Sequence, residues 1–335
     1  MPLSRQSEFQ ELARMLSLWL IFMDAPEHTR LRKLLNKGFS QAALEGLRPQ
    51  MEDIVERMLR PLDHGSEVEL MRQFANPMPV RVISEMMGVP EALHGRFEEW
   101  SRAIAAFRGN PNRTLEEAQA AQDALIAMTE FFRNTVADRR RNKGNDLISL
   151  LIDIEEEGDA LTEEELYAQC IALLFAGHET TRNLIGNGVY TLLKHPREAT
   201  KLRENPEMIR SAVEEFLRFE SPVQFTARVL KEEMEICGQR IPKGWTVLCM
   251  FGAANRDPKQ FKEPNQLNLQ RLNNQHLAFG AGPHFCIGNQ LARLEGQVAI
   301  MSLVKRFPGM KLTGPRPEWA DTFGLRGLKT LPVTV

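Results

Sequence analysis

The sequence predicts an α+β fold that is mainly helical, with small β-sheets at the edge of a large helical body. Three observations predict it: helical spacing of apolar residues through the first two-thirds of the chain, one unusually long helix, and short strand-like stretches separated by turns in the last third. The 335 residues contain no internal repeat and no low-complexity stretch. We therefore expect a single domain over residues 1–335.

The helical part is marked by apolar residues three and four positions apart. This spacing is clearest in three segments, 42–60, 115–141 and 207–220. A capping box at Thr162–Glu165 predicts the start of another helix, and no proline follows it until Pro196. The helix would be about thirty residues long, enough to cross the molecule. Its middle, from Ile171 to Gly177, is apolar all round, so we expect it to be buried on every side.

The last third is predicted to contain short strands and one final helix. The helix is expected over about 287–306, after a glycine-rich loop. The predicted strands are Val223–Leu230, Met234–Ile236, Trp245–Phe251 and two short ones around Phe323–Leu325 and Leu331–Val335.

Composition excludes several classes of protein. A net charge of −2 and a pI near 6.4 give no sign of a nucleic-acid partner. The longest nearly unbroken apolar run, Met15 to Met23, is too short to span a bilayer, and no signal-peptide pattern is present, so we expect a cytoplasmic protein. The cysteines form no CxxC pair and are not expected to form disulfides. Three of them, Cys170, Cys237 and Cys249, are expected to be small buried apolar residues.

The fourth cysteine lies in the most informative stretch of the chain, Phe279-Gly280-Ala281-Gly282-Pro283-His284-Phe285-Cys286-Ile287-Gly288. Glycines let a flat ligand approach the main chain, and a cysteine before a helix N-terminus is biased toward the thiolate. A thiolate is an axial ligand of haem iron that favours O–O cleavage. A phosphate-binding GxGxxG would need glycine at position 285, and a zinc site would need ligands beyond His284 and Cys286.

This loop resembles the haem-binding signature of cytochromes P-450, and Leu291-Ala292-Arg293 continues that signature as in bacterial members. The resemblance extends over residues 24–335. It implies that haem b is bound, that Cys286 is its iron ligand, and that Phe279, Gly280 and Gly288 contact the cofactor. Family members normally carry strands and helices ahead of the point where this chain starts, so the sequence is expected to be N-terminally short, with an unpaired sheet edge.

A helical pair, Glu215 and Arg218, is the first supporting motif. Positions i and i+3 share a helix face, which makes an ion pair natural. In the family this pair is buried and bound to an arginine of the following stretch, and the resemblance assigns Arg256 to that role.

The second motif, Ala176-Gly177-His178-Glu179-Thr180, interrupts the long helix. A mid-helix glycine costs about 1 kcal/mol against alanine, and polar groups in an apolar helix need a reason. The resemblance implies that Ala176 and Gly177 border a groove for dioxygen. It also implies that Glu179 and Thr180 are the acid–alcohol pair that delivers protons during oxygen activation. His178 is expected to be structural.

The third motif contains His28 and Arg32, four residues apart on one helix face. By resemblance, these two residues together with Arg228 and His284 bind the haem propionates. The opposite side of the same helix carries a basic stripe of Arg30, Lys33 and Lys37, which is either a solvated face or a docking patch for an acidic ferredoxin. The resemblance also assigns a set of bulky apolar residues to the substrate pocket: Trp19, Phe22, Phe175, Val223, Phe225 and Phe323.

The predicted activity is that of a monooxygenase acting on a small lipophilic substrate with O2. The chain has no dinucleotide or flavin fingerprint, so the resemblance implies separate ferredoxin and ferredoxin reductase partners. A monomer is expected. Two alternatives stay open at this point: a non-catalytic haem-binding relative, and a peroxide-driven haem enzyme, although branches of the latter kind lack the acid–alcohol pair.

Overall fold

The computed structural model describes residues 8–39, 45–62, 65–109, 112–144, 146–156, 161–314 and 317–335. Within these ranges the chain forms twelve α-helices. Their bounds are α1 Gln10–Ser17, α2 Glu27–Gly38, α3 Arg48–Leu59, α4 Pro77–Met86, α5 His94–Gly109, α6 Leu115–Arg141, α7 Leu147–Glu156, α8 Glu163–Lys194, α9 Pro196–Glu204, α10 Ile209–Phe219, α11 Phe251–Ala254 and α12 Asn289–Arg306.

Helix α8 is the long central helix that the sequence predicts. It has 32 residues and is therefore about 48 Å long at about 1.5 Å per residue. Its start is fixed by the expected capping box: the Thr162 side chain accepts from the Glu165 amide, and the Glu165 carboxylate accepts from the Thr162 amide. Helices α4, α5, α6, α9, α10 and α12 pack against it. The centre of the hydrophobic core therefore lies along α8.

Close packing between α8 and its neighbours depends on a small residue at one crossing point. A Cβ atom on Gly188 would lie 2.8 Å from Ile300 Cδ1 of α12 and 3.2 Å from the Phe216 ring of α10. A larger side chain there would push the helices apart, at a typical cost of about 1–3 kcal/mol. This contact fixes the position of α12, the helix that follows the cysteine loop.

The strands form three small antiparallel sheets in the described part of the chain. One sheet has the order β1-β7-β6, and the other two are the hairpin-like pairs β2-β5 and β3-β4. The strand bounds are β1 Glu67–Glu69, β2 Phe225–Val229, β3 Met234–Ile236, β4 Gln239–Ile241, β5 Thr246–Met250, β6 Lys311–Leu312 and β7 Pro332–Thr334.

The mainly helical α+β architecture is confirmed, and most element bounds agree with the predicted ones within two or three residues. The segment predicted over 42–60 is helical from Arg48, and its first residues lie outside the described ranges. Strands β1, β4 and β6 were not predicted. These strands are two or three residues long, which is too short for an alternating pattern to show. Strand β1 pairs with β7 through Glu67 and Thr334, which are far apart in the sequence.

Strands β2 and β5 pair only with each other among the described residues, so each has one edge without a strand partner. Val229, Leu248 and Met250 of this pair are exposed by 64%, 44% and 49%. No described helix is both long enough and apolar enough to cross a membrane.

Candidate active site

The cysteine loop connects the irregular stretch after β5 to α12. Gly280 and Gly282 have φ angles of +72° and +74°, a region that L side chains rarely adopt. The loop closes on itself because the Cys286 amide donates to the Phe279 carbonyl at 2.9 Å. Asn289, the first residue of α12, donates from Nδ2 to the Cys286 carbonyl at 2.8 Å. The Cys286 backbone is thus held from both sides.

A second set of contacts attaches this loop to α10. Arg293 of α12 makes a bidentate contact with Glu214, at 2.7 and 2.9 Å, and its guanidinium lies 4.5 Å from the centre of the Phe279 ring. His276 Nε2 is 3.1 Å from the same carboxylate. Burial tends to raise the pKa of Glu214, but the hydrogen bonds from His276 and Arg293 lower it to about 2. The carboxylate is therefore charged at neutral pH and fixes both ends of the loop.

Cys286 itself is half-buried. Burial raises the pKa of its thiol, against the opposing effects of the Gly288 backbone, Arg32 and Arg293. The expected bias toward the thiolate from the helix N-terminus is thus outweighed by desolvation in the isolated chain. A bound metal would reverse this balance, because a metal ion holds a coordinating thiol in its deprotonated form.

Four potentially cationic groups gather beside this cysteine. The rings of His28 and His284 lie 4.2 Å apart, and Arg32 is close enough to Cys286 for each to shift the other's pKa. Burial, followed by the charges of His28 and Arg228, lowers the pKa of His284. Burial and Arg32 lower the pKa of His28 in the same way. A positive charge on one of these groups disfavours a positive charge on its neighbours, so this cluster favours an anionic ligand.

The middle of α8 is not buried on every side as predicted. Ile171 and Leu174 are fully buried, but Ala176 is exposed and Gly177 is half-buried in the middle of the helix. The prediction was wrong because a run of apolar residues does not distinguish a packed helix face from one that lines a cleft. The small residues Ala176 and Gly177 leave this part of α8 partly uncovered.

Glu179 and Thr180 follow directly on α8. Glu179 is buried and forms an ion pair with Arg182 at 3.1 Å. Burial raises the pKa of the Glu179 carboxyl, although Arg182 opposes this. The Thr180 hydroxyl donates to the Ala176 carbonyl at 2.8 Å. A carboxyl with a raised pKa and a half-buried hydroxyl on adjacent residues are suited to proton transfer. His178, which is buried, has its pKa lowered to about 3, mainly by desolvation, so it is neutral at physiological pH.

The buried pair of Glu215 and Arg218 is present, with both side chains fully buried and 2.8 Å between the charged atoms. Its third partner is Arg271, whose Nε lies 3.0 Å from Glu215 Oε2. Arg271 also donates to the carbonyls of Lys262 and Gln266.

The assignment of Arg256 to this network was wrong. Arg256 donates to the Phe219 carbonyl, covers the Phe219 ring at 3.8 Å and lies 3.8 Å from Glu220. It therefore reaches the exposed end of α10, while Arg271 enters from a loop further along the chain and occupies the buried middle. The course of the backbone in that loop determines which of the two arginines reaches Glu215. The spacing of these residues in the sequence does not indicate it.

The predicted pocket residues form two groups. Trp19 stacks on Phe22 with ring centres 6.5 Å apart and lies 5.3 Å from Phe175. Phe225 and Phe323 are in edge contact at 4.8 Å. The second group is completed by Val223, which forms a β-bridge with Leu325. Trp19 is buried, whereas Phe22 and Phe323 are exposed by 52% and 55%, as side chains that line an open cleft are.

Two further expectations need correction. Arg30 does not belong to the basic stripe on α2, because it forms an ion pair with Glu165 of α8. Lys33 and Lys37 are exposed on the outer side of α2, as expected. Cys170 is buried, but Cys237 and Cys249 are exposed, since both lie in or beside the small sheets at the surface.

Comparison with known proteins defines the class. The sequence model described as Cytochrome P450 matches residues 96–318, about two-thirds of the chain. The chain therefore belongs to the cytochrome P450 family. Its members are monooxygenases that use O2 and redox partners, and the family implies a haem with a cysteine thiolate ligand.

Individual relatives agree with this assignment. The "Biotin biosynthesis cytochrome P450" of Bacillus subtilis (strain 168) is 39% identical over 334 residues, which are 99% of this chain and 84% of that protein. The "6-deoxyerythronolide B hydroxylase" of Saccharopolyspora erythraea is 40% identical over 313 residues, 92% of this chain and 76% of that protein. The crystal structure of P450BioI in complex with hexadec-9Z-enoic acid ligated acyl carrier protein has a TM-score of 0.93 and 38% identity, and it covers 100% of this chain and 86% of that chain.

Sequence reasoning missed Arg271 and the Glu214–Arg293–His276 contacts. Arg293 belongs to the quoted signature, but no pattern indicates that it binds Glu214, 79 positions away. It also missed Arg108, the last residue but one of α5, which lies among the pocket aromatics. Because its neighbours come from distant parts of the chain, no local signal points to this arginine.

Proposed function

We propose that this monooxygenase binds haem b and that the Cys286 thiolate would hold its iron. The observation that carries the proposal is the geometry of the cysteine loop: a half-buried thiol, held through its own backbone, follows two glycines with positive φ and lies beside Arg32. No three His, Cys, Asp or Glu residues gather in the described ranges as a metal cluster would require, so Cys286 acts as a lone protein ligand.

The donor set beside the loop fits the two propionates of haem. Nε2 of His28 is buried and has no hydrogen-bond partner among the described residues, so it is available to a ligand. Asp24, the acid that acts on both histidines, is also paired with Lys231 at 2.9 Å, and its effect on the pKa of each histidine is smaller than the opposing ones. His28, Arg32, Arg228 and His284 therefore bind two carboxylates, and binding relieves their mutual repulsion.

Bound haem supplies O2 binding and cleavage of the O–O bond. The chain's own residues supply the protons. Glu179 holds a proton more readily than an exposed carboxyl does, because burial raises the pKa of its carboxyl against the opposing effect of Arg182. The Thr180 hydroxyl, held at the Ala176 carbonyl, passes it toward the groove beside Gly177. One oxygen atom enters a C–H bond of the substrate, and the other leaves as water after the uptake of two electrons and two protons.

The electrons come from a separate ferredoxin and ferredoxin reductase, and the monomer is the active unit. The substrate is an apolar organic molecule held between the Trp19–Phe22–Phe175 group and the Phe225–Phe323 pair. The names of the relatives support this class: they include a 6-deoxyerythronolide B hydroxylase and a P450 crystallised with a hexadec-9Z-enoic acid ligated acyl carrier protein.

The test is the reduced carbon monoxide spectrum of the haem-loaded protein. We expect the wild type to show the red-shifted Soret band of a thiolate ligand, and Cys286→Ser to lose it. Cys249→Ser, which changes an exposed cysteine outside the loop, should keep the band and serves as the control. A wild type without the band, or a Cys286→Ser variant that keeps it, would refute the assignment. Product formation with a ferredoxin system, but not with peroxide alone, separates the monooxygenase from the peroxide-driven and non-catalytic alternatives.

A further inference from the structure

A half-buried arginine, Arg108, lies against the aromatic residues of the proposed substrate pocket. The Arg108 guanidinium carbon is 4.7 Å from the centre of the Phe22 ring, 5.5 Å from Trp19 and 5.6 Å from Phe175. Each distance is within the range of a cation–π contact. Three rings, two from the Trp19–Phe22 segment and one from α8, thus contact one cation.

Among the residues that the structure describes, no carboxylate contacts Arg108. The charged group that affects its pKa is another cation, Arg113. Desolvation, followed by Arg113, lowers the pKa of Arg108 to about 10, so the side chain is still fully charged at pH 7. The indole Nε1 of Trp19 is also buried and has no acceptor in the described part of the chain. The Arg108 guanidinium has no carboxylate partner, and the Trp19 indole has no hydrogen-bond acceptor, among the described residues.

Arg108 is half-buried beside the proposed pocket. Phe175 directly precedes the exposed Ala176 of α8, which borders the proposed oxygen groove. On the other side, the carbonyl of the next residue, Gly109, accepts a hydrogen bond from the Phe323 amide at 2.9 Å. Arg108 therefore lies where α5, α8, the Trp19–Phe22 segment and the Phe323 turn meet.

An unpaired guanidinium in an apolar pocket is costly to the folded protein unless a ligand satisfies it. Carboxylates match its planar fork with two parallel hydrogen bonds and carry one negative charge, which is the charge that a single arginine balances. The exposed rings of Phe22 and Phe323 offer apolar surface to the remainder of such a molecule. A ligand with a carboxylate head and an apolar body fits both the unpaired guanidinium and the apolar rings.

We propose that Arg108 selects a lipophilic carboxylic acid as the substrate of this enzyme by binding its carboxylate among Trp19, Phe22 and Phe175. This rests on the proposed function, in that the acid is the molecule that the haem centre oxidises. Arg108 touches the substrate but not the reacting carbon, so it determines specificity and orientation. Its loss should affect binding of the acid far more than binding of the corresponding neutral ester.

The experiment measures equilibrium binding of dodecanoic acid, methyl dodecanoate and dodecanol to the haem-loaded protein at pH 7.5, by calorimetry and by the change in the haem absorption spectrum. We expect the acid to bind roughly 10- to 100-fold more tightly than the ester, as a charge-assisted hydrogen bond implies. In Arg108→Gln this preference should fall to about threefold or less, and Arg108→Lys should restore part of it. Arg96→Gln is the matched control, because Arg96 is an exposed arginine of the same helix that covers a single ring, Trp100, at 5.4 Å.

The ester is more apolar than the acid, so a pocket in which Arg108 does not bind the carboxylate would prefer the ester. A wild type that binds the ester as tightly as the acid would overturn the proposal. So would an Arg108→Gln variant that loses affinity for acid and ester by the same factor, since that result means loss of packing. Calorimetric selectivity for the acid in a protein without the thiolate spectrum would refute the proposed function and leave the acid site standing. A normal thiolate spectrum without selectivity for the acid would refute the acid site and leave the proposed function standing.

Discussion

The arginine that completes the buried Glu215 network is identified by comparing two substitutions, Arg271→Gln and Arg256→Gln. Both remove one guanidinium from the same region and leave a neutral side chain. The Arg271 side chain is 9% exposed and contacts both oxygens of Glu215, at 3.0 and 3.2 Å. The Arg256 side chain is 27% exposed, and its closest carboxylate oxygen, on Glu220, is 3.8 Å away.

These geometries predict different losses of stability. Breaking a buried ion pair typically costs about 3–5 kcal/mol, and we expect about 3 kcal/mol for Arg271→Gln because Arg218 still balances Glu215. A partly exposed pair contributes about 1 kcal/mol or less, which is the expectation for Arg256→Gln. The entropy of unfolding is about 0.7 kcal/mol/K for a chain of 335 residues. The corresponding drops in melting temperature are about 4 °C and about 1 °C.

Thermal unfolding followed by circular dichroism, supported by urea denaturation, measures both values on the haem-loaded protein. Irreversible unfolding would make the melting temperature depend on the scan rate, so both variants and the wild type are scanned at one rate. If Arg256→Gln lowers the melting temperature as much as Arg271→Gln does, the assignment of Arg271 as the third member of the network is refuted.

Three further predictions concern proton delivery, pH and electron transfer. Thr180→Ala should keep haem binding but release several times more peroxide per cofactor consumed, because the hydroxyl at the Ala176 carbonyl is lost. An unchanged ratio of peroxide released to cofactor consumed would contradict the role of Thr180 in proton delivery. The folded pKa of His178, about 3, is depressed below its unfolded value, so only the unfolded chain binds this proton as the pH falls from about 6.5. Stability should therefore fall by up to about 1.4 kcal/mol per pH unit below that point, and His178→Leu should flatten a plot of unfolding free energy against pH. Replacing both Lys33 and Lys37 with Glu should slow reduction by the ferredoxin and weaken the salt dependence of its rate, while substrate binding is unchanged. Stopped-flow reduction at two ionic strengths measures both effects. Equal rates for the variant and the wild type would mean that the lysines are only a solvated face.

Much of the fold was predictable because its signals are local. The capping box at Thr162 sets the start of α8, and the apolar spacing over 115–141 gives the bounds of α6 to the residue. Backbone hydrogen bonds and helix capping act between residues at most four apart, so a linear pattern records them. The cysteine loop was recognisable for the same reason, since its glycines and Cys286 are neighbours in sequence.

The partners of these local motifs were not predictable from the same patterns. Glu215 and Arg218 are three residues apart and were paired correctly, but Arg271 reaches Glu215 from 56 positions away. The strand around Val333 was predicted, but β1 is only three residues long and exists because Val68 pairs with Val333. Ala176 was expected to be buried, and only the arrangement of neighbouring helices leaves it exposed.

The sequence by itself therefore determined the helical framework, the family and the cysteine proposed to bind the iron. Tertiary structure alone decided which charges are paired and which have no partner among the described residues, Arg108 above all. The physical reason is that a charge interacts with whatever lies within a few ångströms of it in space. For Arg108 those neighbours are Trp19, Phe22 and Phe175, which lie between 67 and 89 positions away in the chain and come together only when the elements pack.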